Sequence, residues 1–91
     1  MKPRNVDRVI ADAGRRIAEL RRDAELTQEA LAARLGVSVQ YVRRIESGSN
    51  LTLRSLATVA RALGHDAVEL LGIPTDRTRP RPGRPVTISR R

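Results

Sequence analysis

Apolar residues recur at three- and four-residue steps through the first part of the chain, and charged residues occupy most positions between them. This repeat is typical of a helix that buries one face and exposes the other. It predicts an amphipathic helix over about residues 5–24. The apolar positions of this helix are Val6, Val9, Ile10, Ala13, Ile17 and Leu20.

Three later helix starts share one arrangement, in which a Ser or Thr able to cap the first turn follows an apolar residue. The three pairs are Leu26-Thr27, Val37-Ser38 and Leu51-Thr52. Glycines, which favour helix ends, stand at positions 36, 48, 64 and 72. These signals predict an all-α fold, a compact five-helix bundle whose later helices span 28–35, 39–46, 53–63 and 66–71.

The composition of the chain changes at Pro74, which closes the predicted domain of residues 1–73. Residues 74–91 hold four of the five prolines, and six arginines against one acid, so most of the net charge of +8 lies there. We expect a flexible, disordered basic C-terminal arm that adds affinity for a polyanion by releasing counterions. Two alternatives are a minor-groove hook at 80–85, which Pro82 interrupts, and a strand at 86–88 that pairs with a partner chain.

Composition also limits the chemistry of the protein. The chain has no cysteine, so disulfides, thiolate chemistry and zinc-finger sites are excluded, and with only one histidine, His65, no metal site is expected. No nucleophile with a matching base can be assembled, so no enzyme activity is expected. The chain is small and has no ligand domain, so no cofactor or small-molecule ligand is expected. No apolar run reaches membrane-spanning length and the start does not resemble a signal peptide, so we expect a cytoplasmic protein. The positive charge indicates a polyanionic partner.

The segment 39–46 has the properties of a helix that enters a DNA major groove. Its apolar residues Val42 and Ile45 share one face and would anchor it to the bundle. Glutamine can bond adenine through two edge atoms, arginine can bond guanine through O6 and N7, and valine can contact a thymine methyl group. The alternatives are a solvated face for the polar residues, a phosphate contact for Arg43 and a packing role for the valine. The predicted base contacts are Val39, Gln40, Arg43 and Arg44.

A second set of residues around this helix is suited to phosphates. The first turn of the helix at 28–35 offers free N–H groups and the positive end of the helix dipole. Small polar residues follow segment 39–46, and an arginine begins the next helix. A single aromatic residue is too few for stacking single-stranded bases, which disfavours RNA. The predicted phosphate contacts are Gln28, Ser38, Tyr41, Ser47, Ser49, Asn50 and Arg54.

Over about residues 14–72 the chain resembles the Cro/repressor-type (XRE, lambda-repressor-like) helix-turn-helix proteins. The resemblance implies a five-helix lambda-repressor-like fold, a DNA-binding dimer, base contacts from positions 39, 40 and 44, and a phosphate contact from position 28. It also implies a partly buried ion pair between Arg21 and Glu46. The resemblance does not cover the early start of the first helix or the basic arm, and Ala24-Glu25 stands where the family often has glycine. The matching residues are Ile17, Leu20-Arg21, Leu26-Thr27-Gln28, Leu31-Ala32, Gly36-Val37-Ser38, Val42, Arg44-Ile45-Glu46, Gly48, Leu56, Val59-Ala60, Ala62-Leu63-Gly64 and Leu70-Leu71.

Apolar residues at both ends of the predicted domain favour a homodimer. A single recognition helix reads few base pairs, whereas two half-sites about one helical turn apart restore affinity and specificity. The alternative is that these residues cover their own core. The predicted dimer interface consists of Val6, Val9, Ile10, Leu70, Leu71 and Ile73.

The function predicted from the sequence is transcription regulation, by repression, at a pseudo-palindromic operator in double-stranded DNA. Two alternatives stay open. The chain would also suit an antitoxin that regulates its own operon, with the basic arm folding onto a toxin partner. It would equally suit a controller protein of a restriction–modification system.

Overall fold

A computed structural model describes residues 2–75, which form five helices. The predicted all-α five-helix fold is confirmed, and each predicted helix end agrees with the structure to within one residue. Within residues 2–75 there is no β-strand. The predicted basic arm lies outside the described residues from Asp76 onward. The helices are α1 (Val6–Asp23), α2 (Gln28–Leu35), α3 (Val39–Glu46), α4 (Leu53–Ala62) and α5 (Ala67–Leu70).

The predicted capping residues begin their helices as expected. The side-chain oxygens of Thr27, Ser38 and Thr52 accept hydrogen bonds from the backbone N–H three residues later, at 2.9, 3.1 and 3.0 Å. Asn5 caps α1 in the same way, at 2.8 Å. Each such bond satisfies one of the N–H groups that a helix start leaves without a partner. The starts of α2, α3 and α4 are therefore encoded within four residues of sequence.

The end of α1 differs from the glycine turn that the resemblance implies. Glu25 adopts a left-handed backbone conformation with φ of 61°. Glycine is the usual residue at such a position because a Cβ atom crowds the following carbonyl oxygen there. The chain thus makes a left-handed turn after α1 with a glutamate in place of a glycine. By contrast, α2 is followed by Gly36, which takes φ of 70°. Glycine has no Cβ atom, so it avoids the steric cost of this conformation.

The core lies between the helices and is entirely aliphatic. Helix α3 packs against α1 and α2, and α4 packs against α2 and α5. Aliphatic side chains fill this space because the chain contains no Phe or Trp. The buried cluster consists of Ile17, Leu20, Leu31, Ala32, Val42, Ile45, Leu56, Val59, Ala60, Leu63 and Leu70.

Helix α1 approaches the C-terminal end of α3 at Gly14. A Cβ atom added there would lie 2.7 Å from the carbonyl oxygens of both Ile45 and Glu46. Only a residue without a side chain allows the backbones to come this close. Gly14 thereby sets how deeply the end of α3 sits on α1.

The two ends of the described chain are tied together on the side of α1 and α5. Arg4 Nη1 donates to Asp12 Oδ2 at 2.8 Å, and its Nη2 donates to the carbonyl oxygen of Leu71 at 2.9 Å. Pro74 is buried, and Thr75 Oγ1 donates to Glu19 Oε2 at 2.9 Å. The first two residues of the predicted arm therefore pack with the bundle.

Candidate nucleic-acid interface

Helix α3 turns a polar face to solvent. Val42 and Ile45 are buried in the core, whereas Gln40, Arg43 and Arg44 are exposed. This orientation follows from the helical period, because positions three apart share a face. The apolar face anchors α3, and the amide and guanidinium groups are free to meet a ligand.

The residues predicted to contact bases have different surroundings. Val39 is half-buried and packs against the core, which matches its alternative role as a packing residue. Gln40 is exposed. Arg43 Nη2 lies 3.8 Å from Glu29 Oε2 on α2. Arg44 Cζ lies 5.7 Å from the centroid of the Tyr41 ring, which is a cation–π distance.

Two of the predicted phosphate-binding hydroxyls cap the ends of α3. Ser38 Oγ accepts from the Tyr41 N–H at the start of the helix, at 3.1 Å. Ser47 Oγ donates to the carbonyl oxygen of Arg44 at the end, at 2.9 Å. Both serines are exposed, so a phosphate can reach them, but each hydroxyl already has a structural partner.

The other predicted phosphate contacts lie on both sides of α3. Gln28 begins α2 and is half-buried, and its Nε2 donates to Glu46 Oε1 at 3.0 Å. Ser49 is half-buried, and Asn50 is exposed in the loop after α3. Arg54 is exposed in the first turn of α4. Gln28 therefore contacts the last residue of α3, and the other three residues follow α3 along the chain.

Arg21 and Glu46 form the ion pair that the resemblance implied. Arg21 Nε donates to Glu46 Oε2 at 2.6 Å, and Nη2 donates to Oε1 at 3.2 Å, so the pair is bidentate. Arg21 Nη1 also donates to the carbonyl oxygen of Leu26 at 2.8 Å. The two side chains are 11% and 7% exposed. The pair joins α1, the turn before α2, and the last residue of α3.

This pair also shapes the charge of the interface. A free carboxylate at the end of α3 would repel phosphates, but Glu46 is covered by the guanidinium of Arg21 and the amide of Gln28. Charge-assisted bidentate contacts of this kind are stronger than neutral hydrogen bonds. The negative charge of Glu46 is thereby compensated by Arg21. The exposed face of α3 keeps only polar and positive groups.

One residue of the predicted dimer interface lies inside the protomer. Leu70 is 0% exposed and belongs to the core, because the short helix α5 turns it inward against α4. It is therefore not part of a surface. Val9 and Ile10 are half-buried, whereas the remaining three residues, Val6, Leu71 and Ile73, are exposed.

Sequence reasoning missed three residues that shape this site. Gly14 carried a signal, because a glycine inside a helix costs about 1 kcal/mol and calls for a packing reason. Glu29 gave no signal in the sequence, since its approach to Arg43 depends on how α2 and α3 cross. Asp12, which is 1% exposed, also gave no signal, since its pairing with Arg4 depends on the path of the chain before the helix.

Neither a metal cluster nor a membrane helix is found in the described part of the chain. Residues 2–75 contain no group of three or more acidic or histidine side chains placed to hold a metal ion. Over the same residues, no helix combines the length and the apolar character that a membrane crossing needs.

Comparison with known proteins gives a consistent result. A family model described as helix-turn-helix (HTH_3) matches residues 17–74. An uncharacterized HTH-type transcriptional regulator of Sinorhizobium fredii, y4dJ, is 47% identical over 66 residues, which are 71% of this chain and 84% of that protein. The restriction-modification controller protein C.AhdI from Aeromonas hydrophila is 35% identical, with a TM-score of 0.63, over 67% of this chain and 94% of its own. The hypothetical transcription factor NHTF from Neisseria is 27% identical, with a TM-score of 0.70, over 85% of this chain and 90% of its own.

In the helix-turn-helix class of DNA-binding proteins, the second of two short helices enters the major groove and the first crosses the DNA backbone. Here α2 and α3 form that pair around Gly36. The chain belongs to the helix-turn-helix family (HTH_3), and it is a DNA-binding transcription regulator of the XRE type, not an enzyme.

Proposed function

We propose that the protein is a repressor that binds a pseudo-palindromic operator as a homodimer, with α3 of each protomer in successive major grooves. The observation that carries this proposal is the exposed face of α3, where Gln40, Arg43 and Arg44 point away from a buried apolar face. Repression follows from occlusion of a promoter by the bound dimer. The relatives named above are bacterial, so the proposed setting is the cytoplasm of a bacterium.

Base reading is assigned mainly to Gln40 and Arg44. Both are exposed, and within residues 2–75 Arg44 has no acidic partner, whereas Arg43 has Glu29. Amide and guanidinium groups give bidentate contacts to adenine and guanine, worth about 1–3 kcal/mol of discrimination each. Arg43 has Glu29 beside it and fits a phosphate contact better. The polar residues flanking α3 would hold the two DNA strands on either side of the groove.

Dimerisation is supported by apolar side chains that the protomer leaves exposed. Val6 is 73% exposed and Ile73 is 61% exposed. The hydrogen bond from Arg4 to the carbonyl of Leu71 brings these two ends of the described chain to one side of the bundle. A thin aliphatic core gains stability when a second copy buries such a surface.

The first experiment is selection of bound duplexes from random DNA, followed by titration of the selected site. We expect two inverted half-sites with centres about 34 Å apart. Arg44→Ala should cost about 1–3 kcal/mol and relax the preference at one position in each half-site. Arg61→Ala is the control, since it removes the same charge from an exposed position on α4. Equal losses on all DNA sequences would contradict base reading by Arg44.

A second experiment tests the dimer. Ile73→Asp should convert the protein to monomers in sedimentation equilibrium, because an unpaired charge in an apolar interface is costly. Leu53→Asp is the control, since Leu53 is equally apolar and 79% exposed but lies outside the proposed interface. A dimer that survives Ile73→Asp, or that is lost equally in both variants, would place the interface elsewhere.

A controller role in a restriction–modification system is the second candidate. It is supported by the likeness to the Aeromonas hydrophila controller, since this chain spans 94% of that protein. Genes for a methyltransferase and a nuclease next to the gene for this protein would support the controller role. The antitoxin alternative stays a prediction, which an adjacent toxin gene would support.

A further inference from the structure

The two neighbouring arginines of α3 have different partners. Arg43 approaches the carboxylate of Glu29, whereas the guanidinium of Arg44 lies over the ring of Tyr41. Within residues 2–75, Arg44 shares no ion pair with an acidic side chain. Its charge is therefore available to DNA, and the contact that orients it is aromatic.

The Tyr41 ring is itself held in place. Its side chain is half-buried and packs against the hydrophobic core. Its backbone N–H is bound by the Ser38 cap at 3.1 Å, which fixes the residue in the first turn of α3. A tyrosine has only two side-chain torsions, so a ring anchored in this way is a rigid support.

Arginine, by contrast, is a long side chain that loses much rotamer freedom when it binds a base. Ordering it before binding reduces that loss, which is the general basis of preorganisation. The three-residue spacing of Tyr41 and Arg44 puts them on one side of α3, one turn apart. The ring attracts the guanidinium without a hydrogen bond, so the N–H donors of Arg44 stay available for a base.

We propose that Tyr41 is a positioning residue for Arg44, and that the ring and not the hydroxyl is the part that acts. The inference rests on the proposed reading of a base by Arg44. It assigns to Tyr41 a share in specificity, in place of the phosphate contact expected from the sequence. A cation–π contact at an exposed site corresponds to about two- to fivefold in affinity.

The test is a double-mutant cycle on the selected operator duplex, with a scrambled duplex of equal length as the non-specific probe. Tyr41→Leu keeps an apolar side chain but removes the ring, and Tyr41→Phe removes only the hydroxyl. We expect Tyr41→Leu to weaken operator binding about two- to fivefold and to leave scrambled-duplex binding unchanged. Tyr41→Phe should bind like wild type. In an Arg44→Ala background, Tyr41→Leu should have no further effect.

Any of four results would overturn the proposal. One is an equal loss from Tyr41→Leu with and without Arg44. Another is a loss from Tyr41→Phe as large as from Tyr41→Leu, which assigns the hydroxyl to a phosphate. The third is an Arg44→Ala protein with unchanged base preference, which refutes base reading itself. If Arg44→Ala relaxes the preference but Tyr41→Leu does not, only the positioning role fails.

A measurement on the wild-type protein covers the case in which Tyr41→Leu does not fold. The ring current of Tyr41 should shift the Arg44 side-chain protons upfield in the absence of DNA. The Arg44 Nε–H should also have a higher order parameter than that of Arg43. Unshifted protons and equal order parameters for the two arginines would overturn the proposal without any variant.

Discussion

Replacing Gly14 by alanine should weaken the attachment of α3 to α1. The added Cβ would stand 2.7 Å from the carbonyl oxygens of Ile45 and Glu46. Carbon–oxygen contacts of this type normally lie at about 3.3–3.6 Å. Both partners are backbone atoms, so no rotamer change can relieve the contact. The two helices must instead separate by roughly 0.5–1 Å at this point.

The expected cost follows from two opposed effects. Overpacking that forces a backbone shift costs about 1–3 kcal/mol, and the rigid backbone contact favours the upper end of that range. Alanine also improves the helix propensity of α1 by about 1 kcal/mol, which offsets part of this cost. The net loss should be about 2 kcal/mol. For a domain of this size, that lowers the Tm by roughly 8–16 °C.

Urea unfolding followed by circular dichroism, at one protein concentration for all variants, would measure the loss. Gly72→Ala is the matched control, because its Cβ would meet only the Glu69 carbonyl oxygen at 3.5 Å, an ordinary contact. We expect that control to stay within about 0.5 kcal/mol of wild type. If Gly14→Ala were as stable as wild type, or more stable, helix propensity would dominate and the close approach would not matter.

The remaining predictions concern the turn after α1, the ion pair and the effect of acid. Glu25→Gly should stabilise the protein by up to about 1 kcal/mol in urea unfolding, since glycine accepts φ of 61° without strain. Glu46→Ala should cost about 3–5 kcal/mol, because it leaves the buried Arg21 guanidinium without its partner. The hydrogen bond from His65 lowers the pKa of Glu69 below its ordinary value of 4.5. The stability from Glu69 is therefore complete above pH 4.5 and declines as the pH falls through the lowered pKa, a decline that Glu69→Gln should remove.

Each of these three predictions has an experimental result that would contradict it. Glu25→Ala is the control for the turn, because alanine keeps the strain, and an equal gain in both variants would mean that the conformation is irrelevant. A melting curve of Glu46→Ala that matches wild type would mean that the ion pair does not hold α3. Acid unfolding profiles of equal slope for wild type and Glu69→Gln would exclude a contribution from that carboxylate.

Much of the fold could be predicted from sequence because its signals are local. The caps at Thr27, Ser38 and Thr52 act on the N–H three residues ahead, and the helical period decides which face of α3 is apolar. The contact of Tyr41 with Arg44 is also local and follows from a three-residue spacing. Such interactions are encoded in a few consecutive residues and need no knowledge of the remaining chain.

The role of Leu70 could not be decided from the local sequence pattern. An apolar residue near the end of a short helix suits the protomer's own core and a dimer interface equally well. The choice depends on where α5 lies against α4, and the structure buries Leu70 completely. Gln28 is a similar case, since its amide was predicted to face a phosphate and has Glu46 as a partner in the free protein.

The sequence alone determined that the protein is a five-helix domain with a capped helix-turn-helix and an arginine-bearing α3. Tertiary structure alone decided how closely α3 approaches its neighbours, because Gly14 meets the α3 backbone and Glu29 meets Arg43 only when separate helices cross. Helix starts and faces depend on neighbours within one turn, whereas helix crossings depend on how all side chains pack at once.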